Sequence, residues 1–142
     1  MRQRMLKRQL TDEFLLVPLM KVLIVDDDKA DLDYHSRLIQ GQGHNVLACS
    51  SYSRGAELAE HGEFDFVVIG QGGAAFEGRA VIERLRAYHP ATPFVVFARS
   101  KQIRCYLEAM ELGAIDYLEK PVHPAEMKRV LQSHFPPPPV AV

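Results

Sequence analysis

From Lys21 onward the chain alternates short apolar runs with segments whose apolar residues recur at helical spacing, and no other feature restricts its fold as much. The runs KVLIV (21–25), NVLAC (45–49), FDFVVI (64–69), FVVF (94–97) and IDYL (115–118) are rich in β-branched and aromatic residues. Each is too short for a core helix, so they read as five strands. Between them, Val81, Ile82, Leu85 and Tyr88 mark one helix face, Ile103, Tyr106, Leu107 and Met110 a second, and Met127, Val130, Leu131 and His134 a third. Segment 29–41, with Ala30, Tyr34, Leu38 and Ile39, gives a fourth helix, and 53–61, with Ala56, Leu58 and Ala59, gives the weakest. Gly41, Gly43, Gly62, Pro90 and Gly113 stand where helices should stop, and Pro124 where the last should start. Strands apolar at nearly every position, alternating with helices, predict an α/β (βα)5 unit: a doubly wound, five-stranded parallel sheet covered on both faces.

The 142 residues suffice for one domain, expected over 20–135. Residues 1–19, with Arg2, Arg4, Lys7 and Arg8 and no acid among the first ten, form an N-terminal extension that reads as an extra amphipathic helix, a partner-binding arm or a translated segment without a role. The proline-rich tail at 136–142 is expected to be extended, either solvated or a ligand for an aromatic-lined groove. A formal charge of −1 gives no field that would hold a nucleic acid. Phe14 to Met20, the longest apolar run, is interrupted by Pro18 and is far short of the ~20 residues of a membrane span. Cys49 and Cys105 lack C-x-x-C spacing, and no signal peptide is evident; both thiols are expected to be reduced, in the cytoplasm.

Ligands of such sheets gather at the carboxyl ends of the strands. The first strand runs into Asp26, Asp27 and Asp28, adjacent carboxylates that persist most easily beside a cation or a lysine, and the fifth runs into Lys120-Pro121. The third ends at Gly70, in the sequence FDFVVIGQGG, and the fourth at Ala98. VLIVDDDKAD, FDFVVIG, PFVVFA and GAIDYLEKP, in this order and spacing, resemble the receiver domain of two-component response regulators over roughly residues 20 to 133. That resemblance implies a flavodoxin-like fold with strand order 2-1-3-4-5. It also implies a Mg²⁺-binding acidic pair at Asp26 and Asp27, a site lysine at Lys120 and a switch aromatic at Tyr117. The family's phospho-accepting aspartate falls on Gly70 and its hydroxyl residue on Ala98, so both reactive side chains are missing.

Phosphoryl transfer to a carboxylate needs an in-line oxygen nucleophile, which Gly70 lacks. Mg²⁺ prefers a compact octahedral oxygen shell, so Asp26 and Asp27 alone, with Lys120 competing for them, predict weak or vestigial metal binding and no other cofactor. Tyr117 is expected to be placed by packing alone, with Arg99 as a neighbour. The resulting expectation is a non-enzymatic, stand-alone pseudo-receiver of phosphorelay signalling. Its expected partners are proteins, a histidine kinase or an output protein, or a second copy through helix four, strand five and helix five. Lys101, Arg104, Glu108, Glu111, Lys128 and Arg129 would supply that face, or else form an ordinary solvated surface. The alternatives are a receiver phosphorylated at Asp28 or Glu77 and a flavodoxin-like nucleotide or small-ligand binder. Gly70 to Ala75 formally fits G-x-G-x-x-A, but after the wrong strand and without the required acid downstream.

Overall fold

The computed structural model describes residues 19–133, so the expectations for the N-terminal extension, the proline-rich tail and His134 lie outside the described residues. Five strands, β1 (Lys21–Val25), β2 (Asn45–Cys49), β3 (Phe66–Gly70), β4 (Phe94–Ala98) and β5 (Asp116–Glu119), alternate with five helices. The helices are α1 (Lys29–Gly41), α2 (Tyr52–His61), α3 (Arg79–Tyr88), α4 (Ile103–Glu111) and α5 (Pro124–Ser133). All neighbouring strands pair in parallel, in the order β2-β1-β3-β4-β5, as the sequence predicts.

Alternate residues of the central strands feed two separate cores. Leu23, Val25, Val67, Ile69, Phe94 and Val96 pack with Ala56, Ala59, Val81, Ile82, Leu85, Cys105 and Ala109 on one face. Val22, Ile24, Phe66, Val68, Val95 and Phe97 pack with Leu32, Ile39, Met127, Val130 and Leu131 on the other. At roughly 1.5–3 kcal/mol per large side chain removed from water, these layers dominate the stability. Side-chain caps open two helices: Asp28 accepts from the Asp31 amide at 3.1 Å and Ser51 from the Arg54 amide at 3.2 Å. Helix α3 has no such cap and starts at Gly78, where a Cβ would stand 2.2 Å from the Gly70 carbonyl oxygen. Glycine there brings the loop onto the end of β3.

Several expectations need correction: α1 buries Leu32, His35, Ser36 and Ile39 while Ala30 and Tyr34 are exposed, and Tyr88 of α3 is exposed as well. Strand β3 begins two residues later than predicted and includes Gly70, because Phe64 and Asp65 form the approach to the strand, with the Asp65 carboxylate accepting from the Lys21 amide at 2.8 Å. Strand β2, an edge, is not covered on both faces; Leu47 is 41% exposed. Helix α4 packs with a different side from the one predicted. Cys105 and Ala109 are fully buried, whereas Ile103, Tyr106, Leu107 and Met110 face outward. Periodicity favours the stripe of large residues, whereas the residues that meet the core are the small Cys105 and Ala109.

Candidate functional site

The carboxyl ends of β1, β3, β4 and β5 converge on one sheet edge. Asp26 follows β1, is 2% exposed, and commits both carboxylate oxygens: Oδ1 accepts from the Asp28 amide at 3.0 Å and Oδ2 pairs with Lys120 Nζ at 2.7 Å. Lys120 also holds Asp31 Oδ2 at 3.0 Å. Burial pulls the Lys120 ammonium down, but the hydrogen bonds and charges of Asp26 and Asp31 outweigh it, leaving its pKa above the ordinary lysine value. Asp31, on the first turn of α1, is a member of this cluster that sequence reasoning missed. Its position one turn along from Asp28 was the available signal.

Asp27 is not one of the ion-pair partners of Lys120. Its carboxylate is exposed and accepts from the Tyr52 hydroxyl at 3.2 Å. Burial first, and the nearby carboxylates second, push the Tyr52 hydroxyl far above its usual pKa, so it stays protonated and donates. Asp28 caps α1 and pairs with Arg99; the Asp31 amide, more than Arg99 and despite some desolvation, holds its carboxyl below the usual range.

At Gly70 an added Cβ would stand 2.9 Å from Asp26 Cγ and 3.1 Å from each carboxylate oxygen. The Asp26 carboxylate, held by Lys120, thus crowds the position a Cβ at residue 70 would take. This donor set does not suit Mg²⁺. Both Asp26 oxygens are already hydrogen-bonded, Asp27 is engaged by Tyr52, and position 70 offers no side-chain ligand. Among the described residues, no group of three His, Cys, Asp or Glu side chains is placed to hold a metal ion. Glu77 accepts from the Gly73 amide at 2.8 Å, tying the β3–α3 loop to itself, and the buried Phe76 in that loop adopts φ 56°. A cavity of about 270 Å³ remains, lined in part by Asp27, Gln71, Arg99 and Lys120.

Tyr117 is not placed by packing alone, and Arg99 pairs with Asp28. Its ring is 3% exposed; its hydroxyl donates to Gln71 Oε1 in a short contact and accepts from the Gln102 amide at 3.1 Å. Gln71, 2% exposed and immediately after Gly70, is the second residue the sequence reading missed. Its signal was a polar side chain next to a buried strand end. Burial raises the Tyr117 pKa, keeping its proton available to Gln71. Ala98 is buried, and its carbonyl accepts the Lys120 amide at 2.8 Å.

On the predicted interaction face, Glu108 pairs inward with Arg79 at 2.7 Å and more loosely with Arg104 at 3.5 Å. Arg129 reaches Asp116 at 3.4 Å. Lys101, Glu111 and Lys128 are exposed.

The profile of the family described as "Response regulator receiver domain" matches residues 22–132. The chain is 31% identical over 101 residues to the transcriptional regulatory protein ZraR of Escherichia coli K12, covering 71% of this chain and 23% of that protein. It is 27% identical over 108 residues to the cell cycle transcriptional regulator CtrA of Caulobacter vibrioides, covering 76% of this chain and 47% of that one. It therefore spans less than half of each of these relatives. A CheY-like receiver domain protein from Methanospirillum hungatei superposes with a TM-score of 0.75 at 22% identity, over 82% of this chain and 93% of that one. The Vibrio cholerae chemotaxis protein CheY4 gives 0.73 at 22% identity, over 83% and 100%. With the profile covering most of its length and the sheet, helices and terminal lysine in the matching order, this chain belongs to the response regulator receiver domain family.

Proposed function

We propose that this receiver domain works without accepting a phosphoryl group and contributes to two-component signalling through its shape, by contact with protein partners. A histidine kinase or an output protein is the kind of partner its family membership suggests. One observation supports the reading: the middle strand ends at Gly70, which has no side-chain oxygen, and the neighbouring Asp26 carboxylate, paired with Lys120, crowds the position of a Cβ there. Phosphoryl transfer needs a carboxylate oxygen in line with the donor and a metal to neutralise charge. Neither requirement has a residue here. Asp26 and Asp27 are then a vestige of a metal site, and Asp26 serves as the counter-ion that keeps Lys120 charged. The α4–β5–α5 face, which includes Lys101, Arg104, Glu111, Lys128 and Arg129, is the proposed contact surface, for partners or for a second copy.

The test is the intact mass of the full chain after incubation with a small phosphodonor and Mg²⁺. An unchanged mass is expected. Gain of one phosphoryl group would overturn the proposal, and peptide mapping would then decide between Asp28 and Glu77, whose carboxylates are engaged by Arg99 and by the Gly73 amide.

A further inference from the structure

The sheet ends on one side at β2, and that edge is bare among the described residues. The Asn45 amide donates to the Met20 carbonyl at 2.9 Å, and the Cys49 carbonyl accepts from the Asp26 amide at 3.1 Å. A parallel ladder engages alternate residues of a strand, so Asn45, Leu47 and Cys49 face β1, while Val46 and Ala48 turn both N–H and C=O away from the sheet. Edges of natural sheets are blunted by charge, proline or a bulge. The opposite edge, β5, carries Asp116 and Glu119, but Asn45–Cys49 has neither a charge nor a proline, and Leu47 is 41% exposed.

Beside this edge an open groove of about 500 Å³ runs between α1 and β2, lined in part by Leu32, Ser36 and Ala48 and by the charged Lys29, Asp33 and Arg37. The Ser36 hydroxyl is buried without a hydrogen-bond partner among the described residues, which marks the groove as incomplete. Arg37 pairs with Asp33 at 3.0 Å, so the groove does not present a field of one sign that would repel a second copy.

The edge is complementary to itself in one register. An antiparallel pairing about a two-fold axis through Leu47 sets Val46 against Ala48 of the second copy, twice. Each of these pairs exchanges two N–H···O bonds, so every outward backbone group of Val46 and Ala48 is satisfied on both copies. Val46 of the second copy then lies on the α1 face beside Ala48, at the groove. The two Leu47 side chains meet at the axis on the other face, in the non-hydrogen-bonded position where cross-strand side chains come closest.

We infer that two copies of this chain join β2 to β2 in this register, forming one continuous ten-stranded sheet. This goes beyond the proposed function. Because β5 lies at the far edge of each sheet, both α4–β5–α5 faces stay free, and a partner with two binding sites would gain avidity from holding both. The paired edges bury less than the ~800 Å² per partner of a standard interface, so the dimer is weak and concentration-dependent.

Sedimentation equilibrium of the full chain over a wide concentration range, together with cross-linking, tests it. A monomer–dimer equilibrium is expected. Ala48→Pro removes only an outward N–H, a change that an edge strand tolerates, and should weaken the dimer at least tenfold. Leu47→Lys should do the same, with circular dichroism checking that each variant stays folded, whereas Leu107→Lys on α4 should leave the constant unchanged. Opposed Cα atoms at a non-hydrogen-bonded position stand ~4.5 Å apart, within disulfide range, so Leu47→Cys should give a covalent dimer on mild oxidation while the equally solvent-facing Glu111→Cys should not. A monomer at every concentration, a dimer indifferent to Leu47→Lys or lost in Leu107→Lys, or no cross-link at position 47 would each overturn the inference. The phosphodonor mass measurement is independent of association, so failure of the dimer leaves the phosphate reading standing, and the converse also holds.

Discussion

At the scale of single residues, the site is held by pairs whose removal has calculable consequences. Lys120 is the counter-ion of Asp26, and both side chains are almost out of water, at 8% and 3% exposure. Lys120→Met would leave a buried carboxylate without its counter-ion, at a cost of about 3–5 kcal/mol, read by urea unfolding. Gly70→Asp should not by itself rebuild an acceptor. Its Cβ meets the Asp26 carboxylate at 2.9–3.1 Å, and the second carboxylate adds repulsion, so a stability loss of ~1–3 kcal/mol is expected without efficient phosphorylation. Full labelling of this variant by a small phosphodonor at wild-type stability would contradict that steric account. The Tyr117–Gln71 bond makes a third case. In a double-mutant cycle of Tyr117→Phe and Gln71→Leu, a coupling of about 1 kcal/mol is expected, and additivity would show that the two side chains do not interact. That β3 ends in Gly70 and β4 in Ala98 was legible in the sequence, because both stand at fixed places along apolar strands. The Gln71 and Asp31 contacts were not, because a hydrogen bond between residues far apart in sequence leaves no periodic trace.

Among the elements, α1 shows how polar side chains lock a helix to the sheet. His35, fully buried, donates from Nδ1 to the Asp31 carbonyl at 2.9 Å and accepts at Nε2 from the Val122 amide at 3.1 Å. That bonding pattern requires a neutral ring, and burial, opposed in part by Asp31, lowers the His35 pKa. His44 accepts the Met20 amide at 3.0 Å, and burial lowers its pKa also. Since the folded values lie below 6.5, the unfolded chain takes up more protons in the window beneath it. Stability should therefore fall as pH drops below 6.5 towards the folded-state values, and be insensitive to these groups above it. Urea midpoints measured from neutral pH downward check this; His35→Gln should flatten the slope if His35 causes it. Element types were legible throughout because strand and helix periods differ. The facing of α4 was not: a helix with two apolar sides gives the same spacing signal for either, and only the core contacts of the folded chain distinguish Cys105 and Ala109.

For the whole molecule, the proposed function implies a receiver that rests in one arrangement. A ligand moves a two-state protein only through different affinities for the two states. In this chain Lys120 is bound by Asp26 and Asp31, Tyr117 is held inward by Gln71 and the Gln102 amide, and Tyr106 of the exposed α4 stripe packs edge-on against Tyr117 with ring centroids 5.6 Å apart. The path from the site to the α4 surface is thus a continuous chain of side-chain contacts, which on the proposed reading needs no phosphate to set it. Linkage turns this into a measurement on the intact fold: a ligand at a hundredfold excess over its Kd raises the stability of the folded state by ~2.7 kcal/mol. Mg²⁺, alone or with a phosphoryl analogue, should leave the thermal midpoint of the full chain unmoved, whereas Gln71→Leu should lower it. A midpoint that rises with Mg²⁺ in the wild-type chain and loses that rise in Asp27→Asn would mean that the acidic pair still holds a cation, and that the arrangement at the strand ends opens to admit it.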